Sequence, residues 1–231
     1  MDAFFQEERP EYVILAAARV GGIGANIKYP ADFIQVNLSI QTNVLYAAFR
    51  YQVRRLIFFA SSCAYPKFSP QPMREDMLWM GPLEPTSEPY AVAKLTGITM
   101  CAAYNRQHRT SFIPVLPATV YGFNDNFDPA TAHVLPALMR QFHGAKKSQM
   151  QREAVVWGTG TARREFLFAD DLAEACRALL CLNEASLKSL LQSDTPVINI
   201  GVSEDISIGE LAGVISGVVG YDGAIVFDDS K

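Results

Sequence analysis

Two runs that are apolar at every position, 12–18 (YVILAAA) and 56–60 (LIFFA), constrain this chain more than any other feature. A strand with one wet face alternates apolar and polar residues, whereas a continuous run needs cover on both faces. A third strand-sized stretch follows at 111–116. Two stretches of helical character lie between them, 30–50 and 90–108. The first opens at Pro30 and sets Phe33, Val36, Ile40, Val44 and Ala47 to one side. Buried strands alternating with long helices predict a parallel α/β sheet. Such sheets bind ligands beyond the carboxyl ends of their strands. Ser61, after the second run, and 117–121, after the third, lie at such ends.

The rest of the chain fits around that sheet. Residues 1–9 read as the tail of a helix stopped by Pro10, and 20–26 as a glycine-rich turn. A polar, proline-rich loop runs over 61–89. Helices are expected at 133–147, 170–182 and 208–219, and short strands at 155–157, 165–168, 197–200 and 224–227. This predicts a Rossmann-like parallel sheet with a smaller C-terminal substrate domain. The division is 1–131, a partial dinucleotide-binding domain, and 132–231, a partial substrate domain, with interleaving left open. A dinucleotide fold starts with a strand, a Gly-x-x-Gly-x-x-Gly turn and a helix. Gly21, Gly22 and Gly24 lack that spacing, and no such unit precedes Tyr12. The run 12–18 therefore reads as the fourth strand of a full fold, with amino-terminal strands missing, and as an apolar edge. A fragment or a truncated gene model is the expected explanation, with a split protein whose partner supplies the missing strands as the rival, and 1–231 alone is expected to turn over no NADPH.

Composition excludes several classes. A net charge of −4 argues against nucleic acid, which needs clustered Lys and Arg. The apolar runs are strand-sized, too short to cross a bilayer. Residues 1–8 lack a basic start and a cleavage site, so no signal peptide is read. Cys63, Cys101, Cys176 and Cys181 have neither Cys-x-x-Cys spacing nor a His partner, so no metal site is expected; free thiols suit a reducing cytoplasm.

Candidate chemistry gathers at Ser61-Ser62-Cys63 and at Tyr90 and Lys94. The last two are four apart on a helix and share a face. A neighbouring ammonium favours the phenolate of a tyrosine. A serine within reach can hold a ketone oxygen against the phenol. That equipment moves a proton at a carbonyl oxygen while hydride moves at its carbon. Tyr-x-x-x-Lys by itself is a weak signal. Taken alone, Cys63 reads more often as a small buried apolar residue than as an acid, His133 reads also as a surface histidine at a helix start, and Arg163 with Arg164 also as a charged turn. Asp170 and Asp171 read as a helix cap. Asn37, in mid-helix, reads as either solvated or a nicotinamide contact.

Longer pieces carry a resemblance: AAARVGGIGAN at 16–26, YPADF at 29–33, SSCAYPK at 61–67, LEPTSEPYAVAK at 83–94, YNRQ at 104–107, DNF at 125–127, HVLPALMRQFH at 133–143 and VVWGTGTARREFL at 155–167. With these the chain resembles the GDP-L-fucose synthases of the extended short-chain dehydrogenase/reductase superfamily. The resemblance implies an NADP(H)-dependent enzyme that converts GDP-4-keto-6-deoxy-D-mannose to GDP-L-fucose by 3,5-epimerisation and 4-reduction. The C4 ketone acidifies the protons on C3 and C5. By resemblance Cys63 and His133 are the acid–base pair, with free pKa values of about 8.5 and about 6.5. Tyr90 supplies the proton for reduction, Lys94 tunes it and holds the nicotinamide ribose, and Ser61 orients the carbonyl. Phe59, Ala60, Ser61, Ser62, Lys94, Pro117, Ala118, Thr119, Val120 and His133 match cofactor positions. Gln141, Trp157 and Arg164 match substrate positions, the arginine fork suiting a diphosphate. Two residues depart from the family: Thr119 where Asn is usual, and Gln141 where Arg or Lys is usual. A homodimer packed through 31–50 and 90–108 is implied. The alternatives are an inactive fragment or sugar-nucleotide-binding homologue, and another NAD-dependent epimerase or dehydratase.

Overall fold

The computed structural model describes residues 1–129, 131–148, 153–193 and 195–230. The chain divides into two compact units, 1–118 with 170–200, and 119–169 with 201–231. It passes between them three times, and the expected boundary at residue 131 falls inside the second unit.

The first unit is built on a parallel four-stranded sheet. Its strands are β1 (Tyr12–Leu15), β2 (Arg55–Phe59), β3 (Phe112–Pro117) and, arriving late in sequence, β7 (Ile198–Ile200). They stand in the order β1-β2-β3-β7, with Leu56 opposite Phe112 and Val115 opposite Ile198. β2 and β3 are buried on both faces and paired on both sides. The expectation that 12–18 is covered on both faces fails at this point, while its expected place at an edge holds. β1 is only four residues long, and Tyr12 and Ile14 are 39% and 49% exposed. It is the edge of the described sheet, paired only with β2, so half of its apolar run stays wet.

Two 21-residue helices, α3 (Pro30–Arg50) and α4 (Glu88–His108), flank this sheet and pack on each other. Both carry proline in the first turn, where the missing N–H costs nothing. A Cβ on Gly97 would collide with the Phe58 ring, so α4 approaches β2 as closely as a glycine permits. The buried face of α3 runs through Phe33, Asn37, Gln41 and Val44, while Val36 and Ile40 are only half-buried. Two amides thus sit inside the stripe that reads as apolar. Short α1 (Asp2–Glu8) and α2 (Ile23–Lys28) precede α3; α2 occupies the stretch that reads as a glycine-rich turn. α6 (Ala169–Leu180) and α7 (Glu184–Leu191) complete the unit. Arg55 of β2, 3% exposed, donates to the Leu180 and Leu182 carbonyls at 2.7 Å each and to Glu184 at 2.6 Å, satisfying acceptors that the end of α6 leaves open.

The second unit holds β4 (Thr119–Tyr121), β5 (Glu153–Trp157), β6 (Arg163–Phe168), β8 (Asp205–Ser207), β9 (Ala224–Asp228), α5 (Val134–Lys147) and α8 (Ile208–Val219). β4 pairs parallel with β6, and β6 antiparallel with β8; β5 and β9 form a separate parallel pair. Its own core joins Leu138, Phe142, Val156, Leu211 and Ile215. No helix among the described residues is long and apolar enough to cross a membrane.

Candidate active site

β2 runs out at Phe59, and the chain turns at once through Ser61 into a 3₁₀ turn, Ser62–Ala64. Ser61 begins that turn in extended conformation, and its Oγ accepts the Cys63 N–H at 3.3 Å. The thiol of Cys63 is exposed at the carboxyl end of the sheet. α4 brings Tyr90 and Lys94 to the same end. The Tyr90 ring packs edge-on against Phe33 of α3, centroids 6.1 Å apart. Gln41 of α3 donates to the Ala93 carbonyl at 2.8 Å, fixing the turn of α4 that carries both groups. Lys94, 4% exposed, donates from Nζ to the Phe59 carbonyl at 2.7 Å.

The electrostatics differ from the sequence expectation. Burial, chiefly, and then the charge that Cys63 can carry push the Tyr90 phenol up to about 12, against the hydrogen bond from Ser61, which lowers it. Burial brings the Lys94 ammonium down to about 8. Lysine therefore does not draw the phenol toward phenolate here. Its proton points into the Phe59 carbonyl, its nitrogen lies 5.8 Å from the Tyr90 ring centroid, and the low-dielectric setting disfavours both charged forms. The phenol is held as a proton donor.

The carboxyl end of β3 lies beside that of β2, with Phe59 opposite Val115 and the Ala60 N–H on the Val115 carbonyl at 2.8 Å. Pro117 and Ala118 follow, and the Ala118 N–H is bound to the Ile200 carbonyl at 2.8 Å. Phe59, Ala60, Ser61, Ser62, Pro117 and Ala118 thus form one continuous rim in the first unit. A nicotinamide ribose fits the donor set beside this rim: Lys94 spends one of its three N–H groups on Phe59 and keeps two for ribose hydroxyls.

Thr119 and Val120 belong to the second unit, paired in β4 with Phe166 and Leu167. So does His133, an exposed residue that starts α5 without capping it by its side chain. Gln141 of α5 donates to the Val155 carbonyl at 2.7 Å, which ties its amide to β5. Trp157, 72% exposed, ends β5. On β6 the two arginines part company. Arg163 bridges Asp205 at 2.9 Å and Glu210 at 3.3 Å. Among the described residues, Arg164 bonds only through Nη1 to the Arg163 carbonyl, at 2.7 Å. Glu165 turns back and accepts the Val202 and Ser203 N–H groups.

Asn37 is neither solvated nor turned outward. It is 2% exposed; its Oδ1 accepts the Arg19 N–H and its Nδ2 donates to the Arg19 carbonyl, both at 3.0 Å, pinning the loop after β1. The signal was in the sequence as the four-residue spacing Phe33, Asn37, Gln41, which shares one helix face whatever its polarity.

The model of the NAD dependent epimerase/dehydratase family matches residues 1–201. The chain belongs to that family. Within it, the chain is 51% identical over its whole length to a putative GDP-L-fucose synthase 2 of Arabidopsis thaliana, covering 67% of that protein. It is 48% identical to the GDP-L-fucose synthase of Escherichia coli, with 99% of this chain matched to 71% of that one. Among solved structures it resembles a GDP-D-glycero-L-gluco-heptose synthase of Campylobacter jejuni determined in the presence of NADPH. There the TM-score is 0.89 and the identity 36%, covering 98% of this chain and 75% of that one.

Proposed function

We propose, against the expectation that 1–231 alone turns over no NADPH, that this chain carries the GDP-L-fucose synthase reaction: 3,5-epimerisation and NADPH-dependent 4-reduction of GDP-4-keto-6-deoxy-D-mannose. Identity of about half over the full chain to proteins of that name supports it, and one observation carries the chemistry. Cys63 and the Ser61–Tyr90–Lys94 group share a single strand end. A reductase alone needs no thiol beside its phenol.

The C4 ketone of the substrate acidifies the hydrogens at C3 and C5. Cys63 takes or returns these protons on one face of the sugar and His133 on the other, so each centre inverts through an enolate whose oxygen Ser61 and Tyr90 hold. NADPH, when bound, supplies hydride to C4. The Tyr90 hydroxyl gives its proton to the C4 oxygen, and a phenol held near 12 has that proton available throughout the working range. Lys94 then returns a proton toward the phenolate and engages the ribose. Arg164 and Trp157 serve the GDP half, the guanidinium as a fork for diphosphate oxygens. A second copy of the chain is the partner for α3 and α4. The apolar groove at their amino ends, lined by Pro30, Ala31, Ile34, Pro89 and Val92, suits such packing. Four free cysteines suit a cytoplasmic protein.

The test follows NADPH consumption and solvent-proton exchange with GDP-4-keto-6-deoxy-D-mannose. Cys63→Ser should stop exchange at C3 and C5 while ketone reduction persists. Exchange at the parent rate in that variant overturns the reading.

A further inference from the structure

The turn that presents Cys63 is bolted to the sheet from its far side. Two residues after the thiol, Tyr65 is 5% exposed, and its hydroxyl donates to Asn199 Oδ1 at 2.7 Å. Asn199 sits in the middle of β7, opposite Leu116 of β3. Its Nδ2 donates to the Met73 carbonyl at 3.2 Å, and its backbone N–H is bound by Glu75 Oε1 at 2.9 Å. Packing alone calls for neither side chain. A buried ring with no polar task is better served by phenylalanine, because a buried phenol needs a partner. An asparagine in a short strand is disfavoured against a β-branched residue. Each residue answers the other, and the bond between them fixes where the 3₁₀ turn ends. Burial also pushes the Tyr65 phenol up to about 12, so it stays a donor.

We infer that Tyr65 and Asn199 are positioning residues for Cys63. Ser61 holds the turn from in front, through the Cys63 N–H, and the Tyr65–Asn199 bond holds it from behind. The same strand β7 orders the Ala118 end of the cofactor rim through the Ile200 carbonyl. One asparagine therefore references the thiol to the strand that borders the nicotinamide rim. The inference rests on the proposed role of Cys63 as acid and base, but its test does not need turnover.

A nitroxide label on Cys63 reads the order of the turn directly, in a Cys181→Ser background; Cys101 and Cys176 are buried. Tyr65→Phe and Asn199→Leu should each loosen the label, shortening its correlation time by about twofold or more. The double variant Tyr65→Phe/Asn199→Leu replaces both partners with apolar groups, which restores much of the stability lost by orphaning one of them. Its Tm should recover while the label stays loose. Asn105→Ala, which cuts bonds at the amino end of β3, should lower Tm and leave the label ordered. A label as ordered in both single variants as in the parent overturns the inference, as does order that returns with Tm in the double variant. If Tyr65→Phe fails to fold, Asn199→Leu and the double variant carry the same decision. Proton exchange surviving in Cys63→Ser removes the catalytic reading and leaves the label result standing.

Discussion

Tyr90 and Lys94 of the first unit are held under conditions opposite to those of the second unit's candidate side chains, whereas Cys63 of the first unit is exposed. In the first, Lys94 is 4% exposed and the Tyr90 phenol is displaced upward to about 12 as the Lys94 ammonium is displaced downward to about 8. In the second, His133, Trp157 and Arg164 stand exposed at a helix start and on strands. Burial is where a protein fixes the position of a proton, because the low dielectric separates protonation states. A charged ligand, by contrast, is met by groups still in water that it desolvates on arrival. The arginines of β6 repeat the contrast over adjacent positions: Arg163 is committed to Asp205 and Glu210, and among the described residues Arg164 is paired with no carboxylate at ion-pair distance.

The largest effect belongs in the buried set. Tyr90→Phe keeps the ring on Phe33 and removes only the proton, so NADPH-dependent ketone reduction should fall roughly 10²- to 10⁴-fold. Loss of less than about tenfold would mean that another donor serves C4 and that burial at Tyr90 has only a packing purpose. Cys63→Ser comes next, with epimerisation down about 10²-fold or more and reduction of a 4-keto sugar that needs no inversion within a few-fold. Measuring both rates on one preparation separates the two.

The sequence held most of this first unit because its signals are local. Pro30 and Pro89 start helices, LIFFA can only be a central strand, and Ser61, Cys63, Tyr90 and Lys94 fall on elements whose type is unambiguous. In the second unit, α8 runs over the expected 208–219 because Ser207 and Glu210 form a capping box and Gly220, at φ 69°, ends it. What was not legible depends on partners distant in the chain. Nothing near Lys94 says that its proton goes to Phe59, thirty-five positions away. Nothing near Asn37 or Gln41 says that a buried carbonyl waits for an amide. α2 was hidden by its glycines and α7 by its shortness. For β1 the edge position was legible from the missing strand–turn–helix unit, but the exposure of Tyr12 and Ile14 was not, because an unbroken apolar run reads as covered on both faces.

The displaced lysine makes a prediction about stability. Lys94 has a folded pKa of about 8 against 10.5. The folded state disfavours the charged form, so the penalty is fully present below pH 8, lifts as pH rises toward 10.5, and is absent above it. The swing is about 3 kcal/mol at most. Tyr90 works the other way, its contribution being present below pH 10 and lost as pH approaches 12. Between pH 8 and 10 the parent should therefore gain stability relative to Lys94→Met in urea titrations. A difference between the two that does not change with pH would mean that Lys94 stays charged in the fold and that the contrast between the units is weaker than drawn.

The exposed set should respond in KM rather than kcat. Arg164→Ala should raise KM for the GDP-sugar about tenfold, because charge-assisted bonds to a diphosphate are lost while the reacting groups stay in place. Arg163→Ala should lower Tm and leave KM nearly unchanged, since its partners are Asp205 and Glu210. Equal KM effects from both would erase the distinction between a committed and an available arginine.

The smallest effect tests whether Gln141 is a lost ligand or a strut. Its amide now holds α5 to β5 through the Val155 carbonyl at 2.7 Å. Arginine there can keep one N–H on that carbonyl and offer the rest of its fork to a diphosphate. Gln141→Arg should then lower KM for the GDP-sugar by about two- to threefold, as expected for a charge added at a solvent-exposed site. An unchanged KM with a raised Tm would assign the position to the α5–β5 contact alone. In that case diphosphate recognition rests on Arg164 without help from α5, and the exposed half of the comparison narrows to a single cation on β6.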